Sequence, residues 1–435
     1  MIARRPSGRN FFRVLLITLP TALACLLLAG CEDGYDVDIL YPPRADWLVV
    51  ESLKDVVPTR YDPPGMLPLE TLDHLDSTLF GPDQKLLLPK KGGAILDPRI
   101  LPSDTRRELA LALRDLAGRP AHPKIDISGD KFFWEDKGAR SQIDLVLEKE
   151  LKLDSKTLEQ GSALYRTNCL HCHGLAGDGR GPTGHWINPH PRDYRQGIFK
   201  FTSSAQTTNR KPRRDDLKRV LVNGIEGTTM PSFHLLKPDE LEALVSYIIH
   251  LSIRGEAEYA VLQDLIRDTQ QAAPAGDPMI ERIRAKADEI ARSWLEAQKT
   301  QIKPPVNPPE YKSEEERLAS AARGYKVYAN KDVACAGCHL NYGRDAAFRY
   351  DAWGTIVKPR NFFQNMYRGG RRPIEVYWRI AGGINGADMA PFAKNPAAIT
   401  EEEDKQIWDL INFLNILPYP EKRQELKDKH GITVE

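Results

Sequence analysis

Cys169-Leu170-His171-Cys172-His173 and Cys335-Ala336-Gly337-Cys338-His339 decide the reading of this 435-residue chain. Both runs are C-x-x-C-H, the attachment signature of covalently bound c-type haem. The two thiols stand one helical turn apart, so both reach the vinyl groups of one porphyrin, and the histidine that follows is held under the iron. A zinc site would need two further Cys or His ligands at short spacing. A thioredoxin-like redox pair would need a βαβ setting. The chain has six cysteines in all, so two complete motifs leave only Cys25 and Cys31.

Those two lie in an N-terminal segment with the pattern of an export signal. Arg4, Arg5, Arg9 and Arg13 precede an apolar run from Val14 to Leu28. The run ends Leu28-Ala29-Gly30-Cys31, which resembles the lipobox of bacterial lipoproteins. That resemblance implies cleavage before Cys31 and a lipid on its thiol. The alternative is an uncleaved anchor helix, for which the run is near the lower limit of length. Either way the expectation is an exported protein on the periplasmic side, tethered to the membrane and without a cysteine left for a disulfide. Removing the four leader arginines from 61 leaves 57 basic against 60 acidic residues. That balance argues against nucleic acid as a partner.

Composition and periodicity divide the rest. Residues 31–154 are rich in Pro, Asp and short apolar pieces and read as an extended arm that packs on the haem domains, with one helix over 103–116 capped by Ser103 or Asp104. Residues 155–254 read as a small helical domain. Its lead helix carries Gly161 and Tyr165, and its closing helix runs from Pro238 to Leu251 with Leu241, Leu244, Val245, Ile248 and Ile249 as the buried stripe. Residues 255–312 read as a spacer of two helices, near 257–270 and 278–298, ending in a stiff Pro-rich linker. The helical-domain pattern returns over 313–420, closing on a helix capped by Thr400 and Glu403. A charged tail, 421–435, is expected to fray.

The two helical domains share an internal repeat. Pro191-Arg192-Asp193-Tyr194 is echoed by Pro359-Arg360-Asn361-Phe362, and Gly224-Ile225-Glu226-Gly227-Thr228-Thr229-Met230 by Gly383-Ile384-Asn385-Gly386-Ala387-Asp388-Met389. A unit of this size is a duplicated domain rather than a solenoid. Met230 and Met389, at matching positions and each followed by a proline and a phenylalanine, are the expected sixth ligands of the two irons opposite His173 and His339. Met66 and Met279 fall outside both domains, and Met366 has no counterpart in the first. His234 is the rival ligand in the first domain; His185, His190 and His250 read as surface or packing residues. The backbone of Gly177-Asp178-Gly179-Arg180-Gly181-Pro182 is expected to orient the His173 ring, and Arg192 and Arg360 to pair with haem propionates.

Both repeats resemble class I c-type cytochrome domains. In the first the matching residues are Gly161 and Tyr165, Cys169, Cys172 and His173, Gly181-Pro182, Met230 and the helix bearing Tyr247. In the second they are Gly324 and Tyr328, Cys335, Cys338 and His339, Met389 and the helix bearing Trp408. The resemblance covers about half of the chain. It implies a mainly α fold, two class I cytochrome c-type helical domains joined by a helical insert behind an extended arm. It also implies two covalently attached haem c groups, thioether links at the four motif cysteines, and His/Met ligation of each iron. Leu340 follows His339 where the family has Gly, and a Gly-Pro loop is missing there, with Pro359 as its expected replacement. The expected function is single-electron transfer without catalysis, as a carrier or subunit of a respiratory complex passing electrons toward a redox partner such as a terminal oxidase. The competing expectations are a diheme peroxidase and a haem-based sensor. Both need one iron with an open site.

Overall fold

The computed structural model describes residues 39–42, 49–50, 95–96, 101–128, 142–271, 278–305, 308–333, 335–353, 356–364, 366–387 and 389–434. The leader, Cys31 and most of the arm before residue 101 lie outside them. Among the described residues no helix is long and apolar enough to cross a membrane.

The described chain is mainly helical: α1 (Ser103–Ala117), α2 (Gln142–Glu150), α3 (Ser155–Asn168), α4 (Leu170–His173), α5 (Arg214–Asn223), α6 (Pro238–Gln271), α7 (Met279–Lys299), α8 (Glu314–Ala329), α9 (Cys335–Cys338), α10 (Pro373–Gly382), α11 (Glu401–Ile416) and α12 (Pro420–His430). Two short antiparallel ribbons complete it, β1 (Val49–Val50) with β2 (Ile95–Leu96), and β3 (Arg349–Tyr350) with β4 (Ile356–Val357).

Each haem domain is built on a crossing of its lead and closing helices, and glycine sets the distance. A Cβ on Gly161 of α3 would stand 2.2 Å from the Ala243 carbonyl of α6, and one on Gly324 of α8 would stand 2.0 Å from the Asp409 carbonyl of α11. One turn on, Tyr165 meets Tyr247 at 5.2 Å between ring centroids, and Tyr328 meets Phe413 at 5.6 Å. On the closing helix that bears Trp408, Phe413 is the ring that meets the lead helix, while Trp408 packs on Tyr377 of α10. In each crossing a glycine faces the backbone of the other helix, so the backbones close up and the aromatic pair seals the seam. Side-chain caps fix the helix starts: Asp154 accepts from Thr157 N at 3.0 Å, and Thr400 and Glu403 form the expected box.

Four expectations change. The closing helix of the first domain does not stop near Leu251; α6 continues to Gln271, because Gly255 lets Arg195 lie against it, where a Cβ would be 2.4 Å from Arg195 Cβ. The insert is more than a spacer: on α7, Ile283, Ala287 and Trp294 are fully buried in one core with the first domain. The arm packs on that core as expected, through α1, whose Leu109, Leu113 and Leu116 are at most 2% exposed, but the helix starts after Pro102, which has no side-chain cap, where Ser103 or Asp104 was expected. Finally, the charged tail folds as α12 and buries Leu426 against the core of the second domain. One apolar side chain at the right phase anchors a helix that composition alone marks as soluble and loose.

Candidate functional site

The motif histidines are held from behind by the first internal repeat. His173 Nδ1 lies 3.0 Å from the Arg192 carbonyl, and His339 Nδ1 lies 3.1 Å from the Arg360 carbonyl. A carbonyl only accepts, so Nδ1 carries the proton in both rings and the lone pair stands on Nε2. Burial pushes His173 down to about 4 and lowers His339 as well, so both rings are neutral. The same repeat supplies an aromatic face: His173 stacks on Tyr194 at 4.8 Å and His339 on Phe362 at 4.5 Å. The residue between shapes the turn, since Asp193 accepts from Arg195 N and Asn361 from Phe363 N. The Gly177–Pro182 loop was expected to take the Nδ1 proton. Its backbone instead binds the end of the motif helix, with Gly179 N on the His173 carbonyl and Gly181 N on the Cys172 carbonyl.

The second repeat builds the methionine loops. α5 ends at Gly224 (φ +67°) and α10 at Gly383 (φ +69°). Each left-handed residue turns the chain so that the next amide bonds the methionine carbonyl, Ile225 N to Met230 O at 3.1 Å and Ile384 N to Met389 O at 2.9 Å. Phe233 N then returns to Leu221 O at 2.8 Å, and Phe392 N to Ile380 O at 2.9 Å. Both methionines are half-buried against the core of their own domain.

The thiols are suited to covalent linkage rather than to redox exchange. Burial pushes Cys169 up to about 12 and raises Cys335, whereas a C-x-x-C redox pair needs a depressed thiol. Among the described residues no group of three or more His, Cys, Asp or Glu is placed to hold a metal ion, as a structural zinc site would need. His234 is exposed on its loop with Nδ1 at 2.8 Å from Ser232 Oγ. His250 is a packing residue: buried, lowered to about 4 by that burial, it donates Nε2–H to Ala117 O at 2.9 Å and ties the arm to α6.

Arg192 and Arg360 part company at their side chains. The Arg192 guanidinium lies 3.5 Å above the Trp353 ring of the other domain. Arg360 gives Nη2 to Gln364 at 3.3 Å, while its Nε and the hydroxyl of Tyr367, both shielded from solvent, have no acceptor in the protein. In the second domain Tyr342 and Gly343, not Pro359, replace the glycine loop. Tyr342 O accepts from Phe362 N at 2.9 Å, as Gly177 O accepts from Tyr194 N at 2.7 Å.

Each domain thus carries two thiols, a neutral imidazole with its Nε2 lone pair directed by the Nδ1 bond, and a half-buried thioether on a loop packed against the same core. The second adds shielded donors suited to a carboxylate. That donor chemistry fits a porphyrin iron linked through sulfur and carrying propionates.

Comparison with known proteins agrees. A family model described as cytochrome c oxidase, cbb3-type, subunit III, matches residues 156–248, and a second, described as cytochrome c, matches residues 321–418. No curated protein matches the chain. A chain of the reducing HAO-like protein complex of Kuenenia stuttgartiensis is similar at 23% identity, over 60% of this chain and 96% of that one, with a TM-score of 0.40, a likeness that carries no argument. The two matched regions are cytochrome c domains, and two such domains in one chain, with two covalently bound c-type haems, make a diheme c-type cytochrome and support haem-based electron transfer.

Proposed function

We propose that this protein passes single electrons through two six-coordinate haems on the outer side of a bacterial membrane, as a carrier or a subunit of a respiratory complex. Cys169 and Cys172, with His173 and Met230, hold the first haem; Cys335 and Cys338, with His339 and Met389, hold the second. A haem iron supplies reversible one-electron chemistry, and His/Met ligation raises its reduction potential over bis-His. The chain's own residues keep the imidazole neutral and oriented, exclude water from it, and present a soft thioether from a turn fixed at both ends. Arg360, with Tyr367, binds a propionate of the second haem, and Arg192 lies beside the first. The lipid on Cys31 tethers the whole to the membrane, with each buried CH₂ contributing about 0.8 kcal/mol. The match of the first domain to a terminal-oxidase subunit family supports a respiratory partner.

The observation that carries this reading is the recurrence of one hydrogen-bonded methionine corner in both domains. With Met230 and Met389 as ligands both irons would be saturated, whereas a peroxidase or sensor requires an open position. The holoprotein, isolated from its membranes, should show the thioether–iron charge-transfer band from both haems, an acylated Cys31 peptide by mass, and sedimentation with the membrane. A five-coordinate high-spin signal from one haem, with peroxide turnover, would overturn the transfer reading. An unmodified or absent Cys31 peptide in protein that does not sediment would overturn the tether.

A further inference from the structure

We infer that Arg210, a residue of the first haem domain, is the positioning residue for Met389 of the second. The inference rests on Met389 being an axial ligand. Arg210 is 8% exposed and spends its guanidinium on backbone carbonyls. Nε donates to Ser204 O at 3.0 Å and Nη2 to Thr202 O at 2.8 Å, both within its own domain. Nη1 crosses to the other domain and donates to Gly382 O and, at 3.3 Å, to Gly383 O. The bond is returned from the loop itself, because Asn385 Nδ2 donates to Arg210 O at 3.0 Å.

Burying a guanidinium is costly unless its donors are satisfied. Here four carbonyls satisfy it, and two of them are the last of α10 and the first of the methionine loop. Gly383 is the left-handed residue whose turn places Ile384 N on Met389 O, and a Cβ there would stand 2.3 Å from that same oxygen. Arg210 therefore grips the hinge from which the thioether is presented. Ile198 of the first domain closes the far side, 3.0 Å from where a Cβ on Gly386 would lie. The fork geometry of arginine suits two adjacent carbonyls, which a single ammonium does not span. The buried positive charge also favours the iron state that carries one electron more.

The test uses the full-length holoprotein with both haems. Arg210→Gln should lower the thioether–iron charge-transfer band by about half and lower one of the two reduction potentials, leaving the other in place. The component lost must be the one that Met389→Ala abolishes. Asn385→Ala removes only the returning bond and should move the same component less, and it carries the test if Arg210→Gln does not fold. An intact band and unmoved potentials in folded Arg210→Gln, or equal changes at both haems, would overturn the role of Arg210. If Met389→Ala itself leaves the band intact, the ligand assignment fails instead, whatever Arg210→Gln does.

Discussion

The loops Gly224–Met230 and Gly383–Met389 share a backbone plan down to the order of their hydrogen bonds, yet their surroundings differ. Around the first, Asn223, Glu226, Gly227 and Thr229 are exposed, and Leu235 just beyond is 89% exposed. Around the second, Gly383 is buried, and the loop is covered by Arg210, Ile198 and Trp353. Trp353 also donates Nε1–H to Asp193 O, beside the carbonyl that orients His173. The methionine side of the second haem centre is thus packed, through one indole, onto the histidine side of the first. The difference teaches that a duplicated domain keeps the local bonds that build a ligand and changes what lies outside them. Solvent exposure is one of the levers on haem potential, so with the same ligand set proposed for both irons it is the packing that sets the two centres apart.

The sharpest way to break this comparison is to insert the same methyl group in both loops. Gly224 and Gly383 adopt positive φ with extended ψ, a region essentially reserved for glycine, where another residue costs about 1–3 kcal/mol. Gly383→Ala should destabilise the second domain by about 3 kcal/mol and remove its charge-transfer component, because the clamped loop cannot yield. Gly224→Ala should cost about 2 kcal/mol and keep part of its component, because the first loop, touched by Met366 at Gly227 but otherwise largely exposed, has more room to shift. Denaturant unfolding of the holoproteins, read with that band, checks both. Equal losses would show that the clamp makes no difference.

A smaller effect isolates the interface. Lys200 donates to the buried Asp351 at 2.8 Å and lies 5.3 Å from the Trp353 ring. Burial, together with the positive charges of Arg192 and Arg368, pushes Lys200 down to about 8 despite Asp351. Its unfolded value is the usual 10.5, so between about 8 and 10.5 the unfolded chain binds more protons and stability rises with pH. The buried tyrosines, among them Tyr165, Tyr194 and Tyr247, are raised by burial and act in the opposite sense as pH approaches 10, since the unfolded chain then loses protons first. The Lys200 share is therefore read as a difference: between pH 8 and 10 the unfolding free energy of Lys200→Met should gain about 2 kcal/mol less than that of the unsubstituted protein. Identical pH profiles for the two proteins would assign the slope elsewhere.

What the sequence made legible was local. The two C-x-x-C-H motifs, the lead-helix glycines and the methionine positions are each defined by neighbours a few residues away, and the structure places each set on the same scaffold in both domains. The Pro-Arg-Asp-Tyr repeat was visible too, but its meaning was not. The arginine was read for its guanidinium, whereas the feature common to both copies is a backbone carbonyl and the ring two residues on. The closing helix was expected to end at Leu251 with a separate helix after it, whereas Gly255 is a point of close approach inside one continuous α6. Arg210, 172 residues from Gly382, has no local signature at all. Met366 looked unassigned for the same reason. Its sulfur lies against the first methionine loop, where a Cβ on Gly227 would be 2.5 Å away.

The mildest test concerns the place where the second domain departs from its twin. Tyr342 does the backbone duty of Gly177, at φ +56° against +74°. For a residue with a Cβ that conformation costs about 1–2 kcal/mol. The ring offsets the strain: it stacks on Tyr328 at 5.3 Å and meets Phe363 at 5.7 Å and Phe413 at 6.2 Å, edge to face. Aromatic pairs contribute about 0.5–1.5 kcal/mol each beyond their buried area, so the packing should slightly outweigh the backbone. Tyr342→Gly is then expected to lower the stability of the second domain by about 1 kcal/mol while leaving the His339 spectrum unchanged, because Phe362 N would still find the carbonyl at position 342. A gain in stability would mean that the strain dominates, and that the second domain keeps the tyrosine for something other than holding its fold.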